Sequence, residues 1–410
     1  MAYPYKPKHK WDVHTHTTTS PDTYEALSKF THYEQFIRVR AHEKMPCCAE
    51  MVDSNGNVQR VIEDNAYDGA ARLKDCDKHG VTFQVLSPTP MMIPDYVYNK
   101  NDAVDICRIL NDESAKLISK FPKRFTALGA VPMMFPDDAI KEMERIKENK
   151  LWGIEVNSNI NGLDLDDPMF FPIFEAAYEL NLAVFIHPWG GFMSPTEERL
   201  KKRMSATRNW RPWLIGMGME TALAFDSMRC GRVHERLPDL RVMYAHGGGA
   251  FTGLIGRLEH GAYCRPDLFK HASNLDPYET VRQCRVYTDT LTHSPWGFET
   301  LVNTIGVNRI AMGSDYPYPL GEIEPFDEDT GLDPKGNMCP YKQVKGIYPG
   351  HMIEFLPRSG DDMKEAWQHF PWIPHFDAGG NPRKLPCLTN TEKQRVLSGT
   401  AREWLGYPEI

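Results

Sequence analysis

Short apolar or β-branched runs recur along this chain, separated by longer stretches in which apolar residues return every three or four positions. The runs lie at 11–14, 81–86, 125–131, 152–156, 182–186, 241–245, 285–288 and 309–313. Near-continuous apolarity, as in Leu182-Ala183-Val184-Phe185-Ile186, suits a parallel strand covered on both faces. Between the runs, the spacing predicts amphipathic helices over 103–121, 138–149, 172–180 and 222–237. Eight strands alternating with helices predict a distorted (β/α)8 TIM barrel of the α/β class rather than an open doubly wound sheet. An open sheet would more often announce a phosphate-binding loop, and His246-Gly247-Gly248-Gly249 does not match the dinucleotide pattern.

One barrel accounts for the whole of 1–410 as a single domain, with two excursions. Residues 17–60 read as polar and irregular, with a turn at Asp53-Ser54-Asn55-Gly56. Residues 322–390, after the last strand, are rich in proline, glycine and charge, and helical patterning resumes at 391–405. Loops of this length are usually functional or disordered. Both are expected to leave the top of the barrel and shape a site or a subunit contact, although a solvated insertion explains 322–390 equally well.

The strand ends carry the chemistry. His14-Thr15-His16 closes the first run, and side chains two apart on a strand point the same way. By itself this pattern arises often by chance. The fifth, sixth and eighth runs, however, lead into His187, His246 and Asp315, and barrel sites are built at the C-terminal ends of the strands. Most other histidines, among them His9, His79, His234, His260, His351, His369 and His375, fall on helices or loops and read as structural. Imidazole and carboxylate donors suit Zn²⁺, with Mn²⁺ or Fe²⁺ also compatible. Arg60, Arg257 and Arg265 are candidate carboxylate binders, for which a surface ion pair is the plainer explanation.

Composition narrows the partners. A net charge of −8 argues against nucleic acid, which needs a basic surface. No stretch approaches the ~20 apolar residues of a membrane helix, and the N-terminus lacks a signal-peptide core. Nine scattered cysteines without a CxxC pair fit reduced thiols in a cytoplasmic protein, with Cys47-Cys48 as structural filler.

Taken together, His14-Thr15-His16, Phe185-Ile186-His187-Pro188-Trp189, Tyr244-Ala245-His246-Gly247-Gly248-Gly249 and Met312-Gly313-Ser314-Asp315-Tyr316-Pro317 resemble the amidohydrolase superfamily. Within it they are similar to the 2-amino-3-carboxymuconate-6-semialdehyde decarboxylase branch. Trp213-Leu214-Ile215-Gly216-Met217 leading to Glu220-Thr221, Gly256-Arg257-Leu258-Glu259-His260-Gly261, Arg265-Pro266-Asp267-Leu268, Tyr287-Thr288-Asp289-Thr290-Leu291-Thr292-His293 and Pro319-Leu320-Gly321-Glu322 match its style. The resemblance covers roughly 10–325 and returns at the final helix.

The resemblance implies one divalent metal, usually zinc, at His14, His16, His187 and Asp315, with His246 as the catalytic histidine. It implies that Arg60 meets a substrate carboxylate and that Arg257 reaches a neighbouring subunit's site, hence a homodimer or larger homo-oligomer. Arg265 is implied near the substrate site, with Trp189 and Trp210 as pocket walls. The expected activity is nonoxidative decarboxylation of an unsaturated or aromatic small-molecule carboxylate; the alternative is a metal-dependent hydrolase or hydratase acting on a lactone, amide or oxo-diacid. Three features depart from the branch: Gly190-Gly191 follow Trp189 where an acidic residue is usual, Gly218-Met219 replace a Pro-Ala pair, and 322–390 is extra. They bear on the pocket rim, and so on substrate, before they bear on the metal.

Overall fold

The computed structural model describes residues 3–193, 197–205, 209–269, 271–322 and 347–407. Eight parallel strands form one sheet in sequence order: β1 (Trp11–Thr17), β2 (Phe83–Pro88), β3 (Phe125–Gly129), β4 (Gly153–Asn157), β5 (Ala183–His187), β6 (Val242–Tyr244), β7 (Val286–Asp289) and β8 (Ile310–Ala311). Its two ends meet. Val13 N–H donates to the Met312 carbonyl at 2.9 Å and Asp315 N–H to the His14 carbonyl at 2.8 Å, and Thr15 bridges Tyr316 in parallel. Every predicted run overlaps one of these strands, although only Ile310–Ala311 of 309–313 is strand.

The helices include α1 (Gly69–Lys78), α2 (Lys100–Lys120), α3 (Pro136–Glu148), α4 (Phe171–Glu179), α5 (Met217–Cys230), α6 (Phe251–Cys264), α7 (Pro295–Ile305) and α8 (Thr400–Leu405). Alternation along the strands creates two apolar layers. Ile154, Val156, Val184, Ile186 and Val242 face the helices, whereas Val85, Leu128, Phe185, Met243 and Tyr287 fill the barrel interior. Trp404 of α8 is fully buried against the interior residues, with its ring 6.0 Å from Phe185. The helix expected over 222–237 is instead two pieces, α5 and a short Val233–Arg236 turn. The break comes at Arg232, whose φ of 60° is incompatible with helix continuation.

The excursion after β1 is ordered, which corrects the expectation of an irregular segment. Arg38–Ala41, Cys48–Val52 and Val58–Glu63 form a three-stranded antiparallel sheet. Val39, Ala49, Met51 and Ile62 pack against Leu27, Phe30, Phe36, Met92 and Ile106 in a core of their own. The predicted turn joins two of these strands: the Asp53 carboxylate accepts the Asn55 and Asn57 N–H groups at 2.9 Å, with Gly56 at φ 82°. In the second excursion, 323–346 lies outside the described residues. Its remainder is not a solvated insertion, because Ile353, Leu356, Phe370, Leu385 and Leu388 join the main core.

Candidate metal centre and active-site cavity

A bulge in β1 builds the first half of the site. Asp12 pairs with Gln84 and Thr15 with Leu86, so three steps on β1 oppose two on β2. The extra residue lets Val13 stay in the interior core while His14 and His16 both turn into the barrel mouth. Their Nε2 atoms lie 3.2 Å apart, and the Asp315 carboxylate is 3.1 Å from His16 Nε2 and 3.6 Å from His14 Nε2. The His187 ring stands 5.2 Å from that of His14 and 4.8 Å from that of His16. Donor atoms of His14, His187, His246 and Asp315 all fall within 4.8 Å of one another. Four imidazoles and one carboxylate thus converge on a single point.

Neighbouring groups fix how each donor is presented. Asp289, at the end of β7, accepts His14 Nδ1–H at 2.6 Å, which leaves Nε2 facing the centre. The same carboxylate accepts the backbone N–H groups of His246 (2.8 Å), Gly247 (2.7 Å) and Leu291 (2.9 Å). It therefore ties a ligand position to the loop that carries His246. His246 itself has φ 56°, and the glycines after it let the loop pack closely, since a Cβ on Gly249 would lie 2.5 Å from the Gly218 carbonyl oxygen. His187 Nδ1 donates to the Pro188 carbonyl at 3.1 Å, again freeing Nε2. Behind β1, Arg72 of α1 is completely buried, donates to the His16 carbonyl at 2.5 Å and lies over the Tyr316 ring. Asp12 accepts both Ser314 N–H (3.0 Å) and Ser314 Oγ–H (2.5 Å), which anchors the residue before Asp315.

These donors fit a divalent cation. His187 Nε2 and both ring nitrogens of His246 are buried and unpaired, an arrangement that costs free energy unless an ion or polar ligand meets it. Burial lowers the pKa of His187 well below the usual imidazole value, and neighbouring imidazoles push the same way. Burial also lowers His16. Both are therefore neutral, the form that ligates. Burial by itself would raise the Asp315 carboxyl, but the His16 hydrogen bond and the imidazoles around it outweigh burial and hold the group well below the carboxylate range. Burial opposes a charge on His14, yet the Asp289 hydrogen bond raises its pKa overall.

The family model described as Amidohydrolase matches residues 11–350. This chain belongs to the amidohydrolase family. It is 40% identical over 317 residues to the 2-amino-3-carboxymuconate-6-semialdehyde decarboxylase of Dictyostelium discoideum, spanning 77% of this chain and 84% of that one. It is 30% identical over 366 residues to the enzyme of the same name from Caenorhabditis elegans, spanning 77% and 87%. Its fold is similar to the crystal structure of 5-carboxyvanillate decarboxylase from Novosphingobium aromaticivorans complexed with manganese and 4-hydroxy-3-methoxy-5-nitrobenzoic acid. There the TM-score is 0.66 at 16% identity, over 97% of this chain and 96% of that one.

In this amidohydrolase a cavity of about 400 Å³ opens above the donors, with His16, His187 and Asp315 at its base. Trp189, Trp210, Trp213 and Tyr318 supply aromatic walls, and Ile37, Met51, Met91 and Leu320 complete an apolar lining. Arg60, on the strand Val58–Glu63, enters the same cavity and lies 4.9 Å from the Tyr318 ring centre, with no carboxylate partner among the described residues. His246 stands beside Asp315, 3.8 Å from its carboxylate, rather than in the cavity wall. Two expected arginines are elsewhere. Arg257 is exposed on α6, and Arg265 is exposed and paired with Asp267 at 2.7 Å, so the implied place of Arg265 beside the substrate is not met within one chain. Sequence reasoning gave no role to Asp289, Arg72 or Asp12. The nearest signal was Asp289 at the end of its own strand run.

Proposed function

We propose that this amidohydrolase is a metal-dependent, nonoxidative decarboxylase of a planar, unsaturated or aromatic carboxylic acid, of the kind named for its Dictyostelium and Caenorhabditis relatives. The observation that carries the reading is the joint geometry. His16, His187 and Asp315 form the base of an apolar, aromatic-walled cavity whose described lining includes the unpaired cation Arg60, and His14 and His246 bring their donor atoms to the same cluster from beside it.

His14, His16, His187 and Asp315 would hold the ion; neutral nitrogens and one carboxylate favour Zn²⁺, and Mn²⁺ suits the same donors. A divalent ion there supplies Lewis acidity toward substrate oxygens and makes a bound water more acidic, toward a pKa of ~7. Arg60 pairs with a substrate carboxylate, and Trp189, Trp210 and Tyr318 hold the conjugated plane. His246 has no competing hydrogen bond at either ring nitrogen, so it is free to move a proton to the carbon that bears the departing carboxylate. Protonating that carbon interrupts conjugation. The carbon–carboxylate bond then breaks, its electron pair restores the conjugated system, and CO2 leaves. Apolar walls exclude water and strengthen each of these charge interactions.

Arg257, exposed on α6, supports a homodimer in which each copy lends this cation to the other's site. The eight cysteines among the described residues are all free, in keeping with a reducing, cytoplasmic setting. No described helix is long and apolar enough to cross a membrane.

The test is to supply metal-loaded protein with amino- and hydroxy-substituted muconic and aromatic acids and to follow CO2 and new acid groups together. Release of CO2 with loss of one carboxylate per molecule is expected. Formation of a new acid or a hydrated product without CO2 would replace this reading with hydrolysis or hydration.

A further inference from the structure

Glu220, in the first turn of α5, is 3% exposed and touches neither the cavity base nor Arg60. Its carboxylate accepts Phe192 N–H at 2.7 Å, Asn159 Nδ2–H at 3.0 Å and Ser158 Oγ–H at 3.1 Å. Those partners hold Trp189 in turn. Asn159 donates its second amide hydrogen to the Trp189 carbonyl at 2.9 Å, and Trp189 N–H donates to Ser158 Oγ at 3.2 Å. One buried carboxylate therefore anchors the backbone on both sides of Trp189 to the end of β4.

The Gly190-Gly191 pair is what permits this approach. Both have positive φ, 76° and 45°, and a Cβ on Gly191 would lie 2.1 Å from Glu220 Oε1. Trp189 itself lines two cavities. One is the 400 Å³ active-site cavity, and the other is a second cavity of about 580 Å³ whose walls include Asp95, Asn161, Asp164 and Glu220 itself. Trp189 is thus a wall residue common to both spaces, so its placement bears on whether they stay separate.

We infer that Glu220 is a positioning residue for substrate selection: through Ser158, Asn159 and Phe192 it holds Trp189 as the partition between the active-site cavity and the second cavity, and so limits substrate length. The inference rests on the cavity assignment made above and deepens it.

Calorimetry with two unreactive acids, benzoate and the longer 4-phenylbenzoate, tests it on the metal-loaded full chain. Trp189→Ala and Glu220→Ala are each expected to shift the ratio of the two Kd values at least tenfold toward the longer acid, with metal content unchanged. In the crystal structure of Glu220→Ala, Trp189 should be displaced and the two cavities joined. Glu220→Gln should fall between, because the amide keeps an acceptor for Phe192 but presents a donor to Ser158 and Asn159. If Glu220→Ala does not fold, Gly191→Ala pushes on the same carboxylate and should give the same shift. An unchanged ratio in these variants, a failure of Trp189→Ala to bind either acid, or an unmoved Trp189 with separate cavities overturns the inference. Because neither acid loses CO2, failure to find a decarboxylated substrate would sink the proposed activity and leave this result readable.

Discussion

At the residue scale, Asp289 does more than any group outside the donor set. Its carboxylate orients the His14 ring and holds the His246 backbone, so one residue sets both the nitrogen that His14 turns to the centre and the placement of the histidine proposed to carry the proton. Outer partners of this kind typically change metal affinity 10–100-fold when removed. Asp289→Ala should therefore weaken metal binding by about that factor, measured by competition with a chelator, while the fold stays intact. Unchanged affinity would mean that His14 is oriented by something else. The donors themselves were legible in the sequence because each stands where an apolar run ends. Asp289 stood at such an end too, but a carboxylate that meets a histidine 275 positions away cannot be paired with it from spacing. Arg72 was less visible still, being one basic residue of a helix that also carries Lys74, Asp77 and Lys78 on its exposed side.

At the element scale, the barrel strands could be read from their apolarity because each is covered on both faces. The sheet Arg38–Ala41, Cys48–Val52 and Val58–Glu63 could not: only one of its faces is packed, and the other carries Arg40, Glu50 and Gln59, so no continuous apolar run marks it. That sheet delivers Arg60 to the cavity, where the proposed activity needs a cation. The helix break at Gly231-Arg232 was hidden by continuous amphipathic spacing through Val233 and Leu237. Beyond the break, His234 is buried with Nε2 2.7 Å from the Tyr244 hydroxyl, and burial lowers its pKa from 6.5 to about 4. The unfolded chain binds this proton first as pH falls. The stability contribution is thus complete above about pH 6.5 and declines toward pH 4, by ~3 kcal/mol at most. His351, also lowered to about 4 by burial, adds in the same direction. Thermal unfolding of His234→Gln should depend less steeply on pH between 6.5 and 4 than that of the parent protein. Parallel curves would show that His234 does not titrate on unfolding.

At the scale of the whole molecule, the sheet order and the meeting of β1 with β8 bring residues from positions 14 to 315 onto one rim. That convergence follows from the order of eight strands, which is why the site could be assembled before any distance was known. What one chain does not bring to its own cavity is Arg257. If Arg257 serves a second copy, mixing Arg257→Ala and His246→Ala proteins, each inactive alone, should restore roughly a quarter of the sites in a randomised dimer population. No recovery would confine each site to one chain. The central claim is narrower: metal held by His14, His16, His187 and Asp315 is required for loss of CO2. The most direct measurement titrates metal-free protein with Zn²⁺ or Mn²⁺ while counting CO2 against substrate consumed. The account predicts one CO2 per substrate, a rate that saturates at one ion per chain, and none of this in His14→Ala/His16→Ala. CO2 release at full rate from metal-free protein or from that double variant would contradict it.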